Sequence, residues 1–210
     1  MKTWQFIPLD YRERMEQVLS LSWKIFISHF INQKYKINSE APFQFHFAQI
    51  IKSVGDLYCI SENDLFKLDL ETKVVGIKGK TKYFDITCEF YNKIKCAAEL
   101  KFKLKRQGAQ DWGRIDAYRD IENLEIAVLD KGIFDMGKFY MITDYSAYIK
   151  KSTHGSGTIF SLHDGHIIKA NNLYHTKRIK GREDVFVKLK KSYEIKWFNL
   201  KNWYFLELTV

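Results

Sequence analysis

Between residues 83 and 105 the chain alternates twice, and this alternation restricts the fold more than any other stretch. Phe84, Ile86, Cys88 and Phe90 interleave with Tyr83, Asp85, Thr87, Glu89 and Tyr91. Cys96, Ala98, Leu100, Phe102 and Leu104 then interleave with Lys95, Ala97, Glu99, Lys101, Lys103 and Lys105. A period of two marks a strand with one apolar and one mostly polar face. Only the residues around Asn92-Lys93 separate the runs, so an antiparallel hairpin connects them. Register follows from burial, because a slip of one residue would turn one strand's apolar set toward the other's polar face. Both apolar sets are even-numbered. Even therefore pairs with even and odd with odd, and Asp85 is expected on one face with Glu99 and Lys101.

Two carboxylates and an ammonium on one sheet face have a chemical use. Oxygen donors on adjacent strands suit Mg²⁺, a hard cation that keeps several waters and favours carboxylates together with substrate phosphate. Such a metal polarises a phosphoryl group and lowers the pKa of a bound water, while Lys101 would orient that water and offset developing negative charge. Lys103, Lys105 and Arg106 follow at once, where a phosphate backbone would run.

The remaining elements read in order around this hairpin. Asp10 and Glu13 have capping-box spacing, and Met15, Val18, Leu19, Ile25 and Phe26 recur at helical intervals, predicting a helix from about Leu9 to Asn32. A second helix is expected after Ser39, striped by Phe43, Phe47, Ile50, Ile51 and Val54 and stopped by Gly55. Strands are expected near Leu65–Ile77, Tyr83–Tyr91 and Lys95–Lys105, then a helix capped by Asp111 with the stripe Trp112, Ile115, Tyr118, Ile121, Leu124 and Val128. Phe139–Thr143 reads as a further strand. From Gly155 onward the pattern is β-rich, with a hairpin signal at Asp164-Gly165. The expected class is α/β in the α+β sense: a mixed central sheet flanked by helices, with a β-rich C-terminal extension. Residues 1–210 read as one domain, with a core at 42–143 and a basic extension at 144–210.

Asp85 followed by Glu99-Leu100-Lys101 resembles the signature of the PD-(D/E)XK nuclease superfamily, and residues 42–143 resemble its core of helix, three strands, helix and strand. The resemblance implies a restriction-endonuclease-like fold and a metal-dependent DNA endonuclease, most simply of restriction type, that leaves 5′-phosphate and 3′-hydroxyl ends. Asp85 and Glu99 would bind Mg²⁺ (or Mn²⁺ in its place), with the Leu100 carbonyl as a further ligand and Lys101 assisting the attacking water. Glu40 or Gln44 on the preceding helix would support the site. Phe84 stands where the superfamily's motif often has proline.

Two other acid-x-Lys tripeptides occur, Glu71-Thr72-Lys73 and Glu194-Ile195-Lys196. Neither combines an alternating partner strand carrying an aspartate with a basic tail and a following helix, so Glu99 is selected. His163-Asp164-Gly165-His166 reads as a plain hairpin tip, having too few ligands for a metal site. Lys177-Arg178-Ile179-Lys180-Gly181-Arg182 is a basic loop whose Arg178, Lys180 and Arg182 are candidate contacts to nucleic acid. Trp197, Phe198, Trp203, Tyr204 and Phe205 sit at strand spacing and read as core before base-stacking platforms. Arg114, Asp116, Arg119, Asp120, Glu122 and Glu125 read mostly as the solvated face of their helix.

Charge narrows the partner. Residues 145–210 carry twelve Lys or Arg against five acids, whereas the preceding 144 carry twenty-two against twenty. A basic third favours a polyanion, through release of condensed counterions. Double-stranded DNA is the expected partner, and a chain that cuts both strands would act as a symmetric homodimer. No apolar run is long enough to span a bilayer, since Lys24 and His29 interrupt the most hydrophobic segment. The three cysteines lack metal spacing and read as reduced thiols, and a cytoplasmic location is expected. Two alternatives stand beside the DNA endonuclease. One is a non-catalytic nucleic-acid-binding module with structural carboxylates; the other is a structure-specific nuclease of the same fold acting on branched DNA or RNA.

Overall fold

A computed structural model describes residues 6–108, 110–176 and 185–210. The class is α+β. Among the described residues, three α-helices accompany a six-stranded mixed sheet in the order β1-β2-β3-β4-β10-β9, and the C-terminal region is rich in short strands. The strands of the sheet are β1 Phe66–Ile77, β2 Lys80–Phe90, β3 Ile94–Lys103, β4 Met136–Thr143, β9 Trp197–Leu200 and β10 Trp203–Thr209. The chain divides into two compact units: Met1–Ala97 with Ile133–Met136, and Ala98–Gly132 with Gly137–Val210.

In the first unit, helix α1 (Tyr11–Ile31) starts where the capping box places it, because the Asp10 carboxylate accepts the Glu13 amide at 2.9 Å. Helix α2 (Glu40–Leu57) packs against it through aromatic rings: Phe26 lies 4.9 Å from Phe43 and 5.4 Å from Phe47 between ring centroids. Gly55 does not stop this helix, which continues to Leu57. Its constraint is close approach, since a Cβ there would collide with the Phe66 ring. β1 and β2 pair antiparallel from Phe66↔Phe90 to Thr72↔Phe84 and beyond. β2 begins at Lys80, three residues before the alternation becomes visible, because Lys78 and Gly79 turn the chain with positive φ. Asn92, also at positive φ, turns β2 into β3, and the Lys93 amide donates to the Phe90 carbonyl at 2.9 Å.

In the second unit, helix α3 (Gln110–Glu125) starts one residue before Asp111, which therefore lies in the first turn and is not the cap. A π-helical turn at Ile126–Asp130 continues it, so Val128 closes the apolar stripe outside the regular helix. β4 is buried along its whole length, as a central strand requires, and pairs antiparallel with β10 from Tyr204↔Thr143 to Thr209↔Lys138. β10 pairs with β9 across Lys201-Asn202, both at positive φ. The short strands β5 (Ile167–Ile168) and β8 (Tyr193–Glu194) pair with each other, as do β6 (Leu173–Thr176) and β7 (Val185–Lys188).

Asp164-Gly165 makes a turn, with Gly165 at φ 76°, but it closes no hairpin among the described residues. The backbone there docks on the segment before β9: the Gly165 amide donates to Ile195, and the Trp197 amide donates to the Asp164 carboxylate.

The polar residues of α3 depart furthest from expectation. Arg114, Asp120, Glu122 and Glu125 are buried, Asp116 is half-buried, and of the six only Arg119 is exposed. Glu122 accepts the Lys188 amide at 3.0 Å; Glu125 accepts the Lys190 amide at 2.7 Å, the Lys191 amide at 2.8 Å and the Tyr193 hydroxyl at 2.8 Å. The C-terminal segment thus covers this face of α3 and uses its carboxylates to satisfy turn amides that would otherwise be buried unpaired. Arg114 donates to the Ala147 carbonyl and leans on Gly157, where a Cβ would collide with its guanidinium.

Among the described residues no helix is long and apolar enough to cross a membrane.

Candidate active site

In the second unit, β3 holds the candidate residues Glu99 and Lys101. Glu99 is 1% exposed, and the Lys101 side chain is 13% exposed. The Lys101 ammonium lies 2.7 Å from the Asp120 carboxylate of α3 and donates to the Leu100 carbonyl at 3.1 Å. Asp120 was expected on a solvated face. Its spacing carried a signal that charge obscured: Ala117, Asp120, Ile121 and Leu124 fall at i, i+3, i+4 and i+7, one buried face of a helix.

In the first unit, Asp85 is half-buried on β2. The Gln44 amide donates to the Asp85 carbonyl at 2.6 Å and to the Glu71 carboxylate at 2.8 Å, tying α2 to both β1 and β2. Glu71 has φ 52° and interrupts the β1–β2 pairing between Leu70↔Ile86 and Thr72↔Phe84. The acid of a discounted tripeptide therefore shares Gln44 with Asp85, a neighbourhood that spacing in the sequence could not show. Glu40, one turn earlier on α2, is half-buried. Next to the β2–β3 turn, Glu89 reaches Lys95 at 3.6 Å. A hydrogen bond to Cys96, together with burial, holds the Cys88 thiol well above its ordinary pKa. Cys59, Cys88 and Cys96 are free thiols.

The basic residues after β3 divide by exposure. Lys103 is half-buried, whereas Lys105 and Arg106 are exposed on a 3₁₀ turn. That turn is pinned by the Lys105 amide donating to Asp144 at 2.6 Å. Arg178, Lys180 and Arg182 lie outside the described residues. Glu194 and Lys196 pair with each other at 2.7 Å on the surface. The rings of His163 and His166 are 5.0 Å apart, His163 meets the Ser161 hydroxyl at 2.6 Å, and burial lowers both pKa values. Phe205 is core, Trp197 donates its indole N–H to the Leu162 carbonyl at 2.7 Å, and Phe198 is exposed on β9.

Among the described residues no three His, Cys, Asp or Glu side chains cluster as a metal cage. Mg²⁺ does not require one, because it retains waters and takes one or two carboxylates with phosphate oxygens. Comparison of this chain with family models, curated proteins and solved structures finds no match.

Proposed function

We propose that this chain is a metal-dependent nuclease that hydrolyses phosphodiester bonds in double-stranded DNA, with Asp85, Glu99 and Lys101 as its working side chains. The observation that carries this reading is the withdrawal of Glu99 and Lys101 from water on β3. A merely solvated polar face would leave them exposed, as Lys95 is at 53% on the same strand. Sequestered charges are costly and concentrate where chemistry needs them. The contacts next to the β2–β3 turn, Cys88 with Cys96 and Glu89 with Lys95, run even with even and odd with odd. That is the parity from which the alternation assigns Asp85 and Glu99 to one face.

Asp85, Glu99 and the Leu100 carbonyl would hold Mg²⁺, which supplies phosphoryl polarisation and a more acidic water. Lys101 offsets negative charge on the phosphoryl oxygens, and the exposed Lys105 and Arg106 draw in the phosphate backbone. Cutting both strands would engage two copies of the chain.

The test is plasmid nicking with Mg²⁺ or Mn²⁺ and then with chelator. Wild type should cut only with metal. A folded Glu99→Ala variant, checked by a thermal melt, should lose cleavage by at least about a hundredfold. It should keep or improve DNA affinity in metal-free buffer, since it removes a negative charge. Lys196→Ala should cut like wild type. Binding without cleavage by wild type in either metal would leave a non-catalytic binding module instead.

A further inference from the structure

β6 and β7 form a two-stranded ribbon of their own, and its two faces differ in what they meet. Tyr174, Thr176, Val185 and Val187 are buried, and the Tyr174 ring stands 5.0 Å from that of Tyr118 on α3 between centroids. The opposite face carries the cross-strand pairs Leu173↔Lys188 and His175↔Phe186. Leu173 is 57% exposed, Phe186 is 50% exposed, and Lys188 is exposed as well. His175 backs Phe186, with the two rings parallel at 4.2 Å. The surroundings are cationic: among the described residues from 167 to 193 there are four lysines and no Asp or Glu. Lys190 pairs with Asp130, and Lys169, Lys188 and Lys191 are exposed. The acids beneath, Glu122 and Glu125, are buried and turn to the amides of Lys188, Lys190 and Lys191. By sequence, the segment joining β6 to β7 adds Lys177, Arg178, Lys180 and Arg182 against Glu183 and Asp184. Such a surface suits a polyanion, and its shape suits a duplex. The major groove of DNA, about 12 Å wide, admits a two-stranded ribbon. Alternate side chains along a strand are about 7 Å apart, the distance of two base-pair steps. Apolar groups match thymine methyls, and a lysine, which only donates, matches the paired acceptors O6 and N7 of guanine.

We propose that the exposed face of the β6–β7 ribbon reads base sequence in the major groove, with Lys188 on a guanine and with Phe186 and Leu173 against thymine methyls, while Lys169 and Lys191 hold the flanking phosphates. This rests on duplex DNA as the partner in the reading given above, and needs neither metal nor cleavage.

The test uses the full chain in chelator, so that binding is read without cutting. Wild type should select a preferred sequence from a random-sequence duplex pool, and Lys188→Ala should lose the preference for one guanine within it. On the selected duplex, Lys188→Ala and Phe186→Ser should each bind about five- to a hundredfold more weakly, the scale of one base contact. On random-sequence duplex Phe186→Ser should match wild type, because attraction to phosphates does not involve the ring. Replacing N7 of that guanine by carbon removes an acceptor found only in the major groove. The replacement should weaken wild type and leave Lys188→Ala unchanged. A thermal melt accompanies each variant, and if Phe186→Ser does not fold, Leu173→Ser takes its place under the same criteria. The proposal is overturned if wild type binds duplex with no sequence preference, if Lys188→Ala keeps every preference of wild type, or if carbon at N7 weakens both equally. It is also overturned if DNA-free wild type self-associates and Phe186→Ser does not, since the face would then join two copies of the chain. A wild type that binds no duplex removes the DNA partner of the nuclease reading and the role of the ribbon together. A wild type that selects a sequence but cuts nothing with metal removes the nuclease reading alone.

Discussion

Asp64 shows how much a single buried carboxylate can contribute to this chain. It accepts hydrogen bonds from the Tyr11 hydroxyl at 2.7 Å, from Arg14 at 2.9 Å and from the Ile60 and Ser61 amides. Burial by itself would raise its pKa, but these donors and the Arg14 charge outweigh burial and hold it at about 2 against an ordinary 3.8. A carboxyl depressed on folding stabilises the native state fully above its unfolded pKa, and that contribution is lost as pH falls through the folded value. The melting temperature should therefore fall as pH drops from about 4 to about 2, and Asp64→Asn should flatten that limb. Asp64→Ala leaves Arg14 buried without its partner and should cost about 3 kcal/mol in a denaturant titration at neutral pH. At Gly55 the direction is equally clear: a methyl group there would collide with the Phe66 ring and force α2 or β1 to shift. Gly55→Ala should destabilise by about 1–3 kcal/mol despite the better helix propensity of alanine, measured in the same titration.

At the scale of elements, α3 is the instructive case. Its apolar stripe was legible, and Ile115, Tyr118, Ile121 and Leu124 are fully buried. Its acids were misjudged because charge was taken to mean solvent, although Glu122 and Glu125 recur with Tyr118 at i+4 and i+7, the spacing of a shared face. Which acids are buried depends on what covers the helix, and here the cover is the turn at 188–191 with its unpaired amides. Glu125→Ala leaves two backbone amides and the Tyr193 hydroxyl without their acceptor, each at a penalty of about 1 kcal/mol or more. The expected loss is about 3 kcal/mol in a thermal or urea melt, with Glu125→Gln recovering part of it because an amide oxygen can still accept.

At the scale of the whole molecule, the proposed nuclease function predicts that binding and cutting respond to different residues. Lys105→Ala with Arg106→Ala should weaken DNA binding and flatten the dependence of log K on log salt by about one unit for each phosphate that is no longer neutralised. Removing metal with a chelator should leave that slope in place and abolish nicking. A salt series on wild type and the double variant, with and without metal, checks both. If cleavage falls in the double variant only in proportion to occupancy, the exposed turn serves attraction and not chemistry.

The alternation at 83–105, the helical stripes and the capping box at Asp10 determined the elements from α1 through β4 to within a few residues. Local periodicity and turn chemistry act over short distances that a sequence displays. The sequence alone did not determine which charged side chains are withdrawn from water. Lys101 on Asp120, Gln44 on both Asp85 and Glu71, and Glu125 on three donors all join residues far apart in the chain, by as many as 68 positions. Those partnerships belong to the tertiary structure, because a carboxylate or ammonium is stable in a low-dielectric interior only when the folded chain brings a complementary group to it.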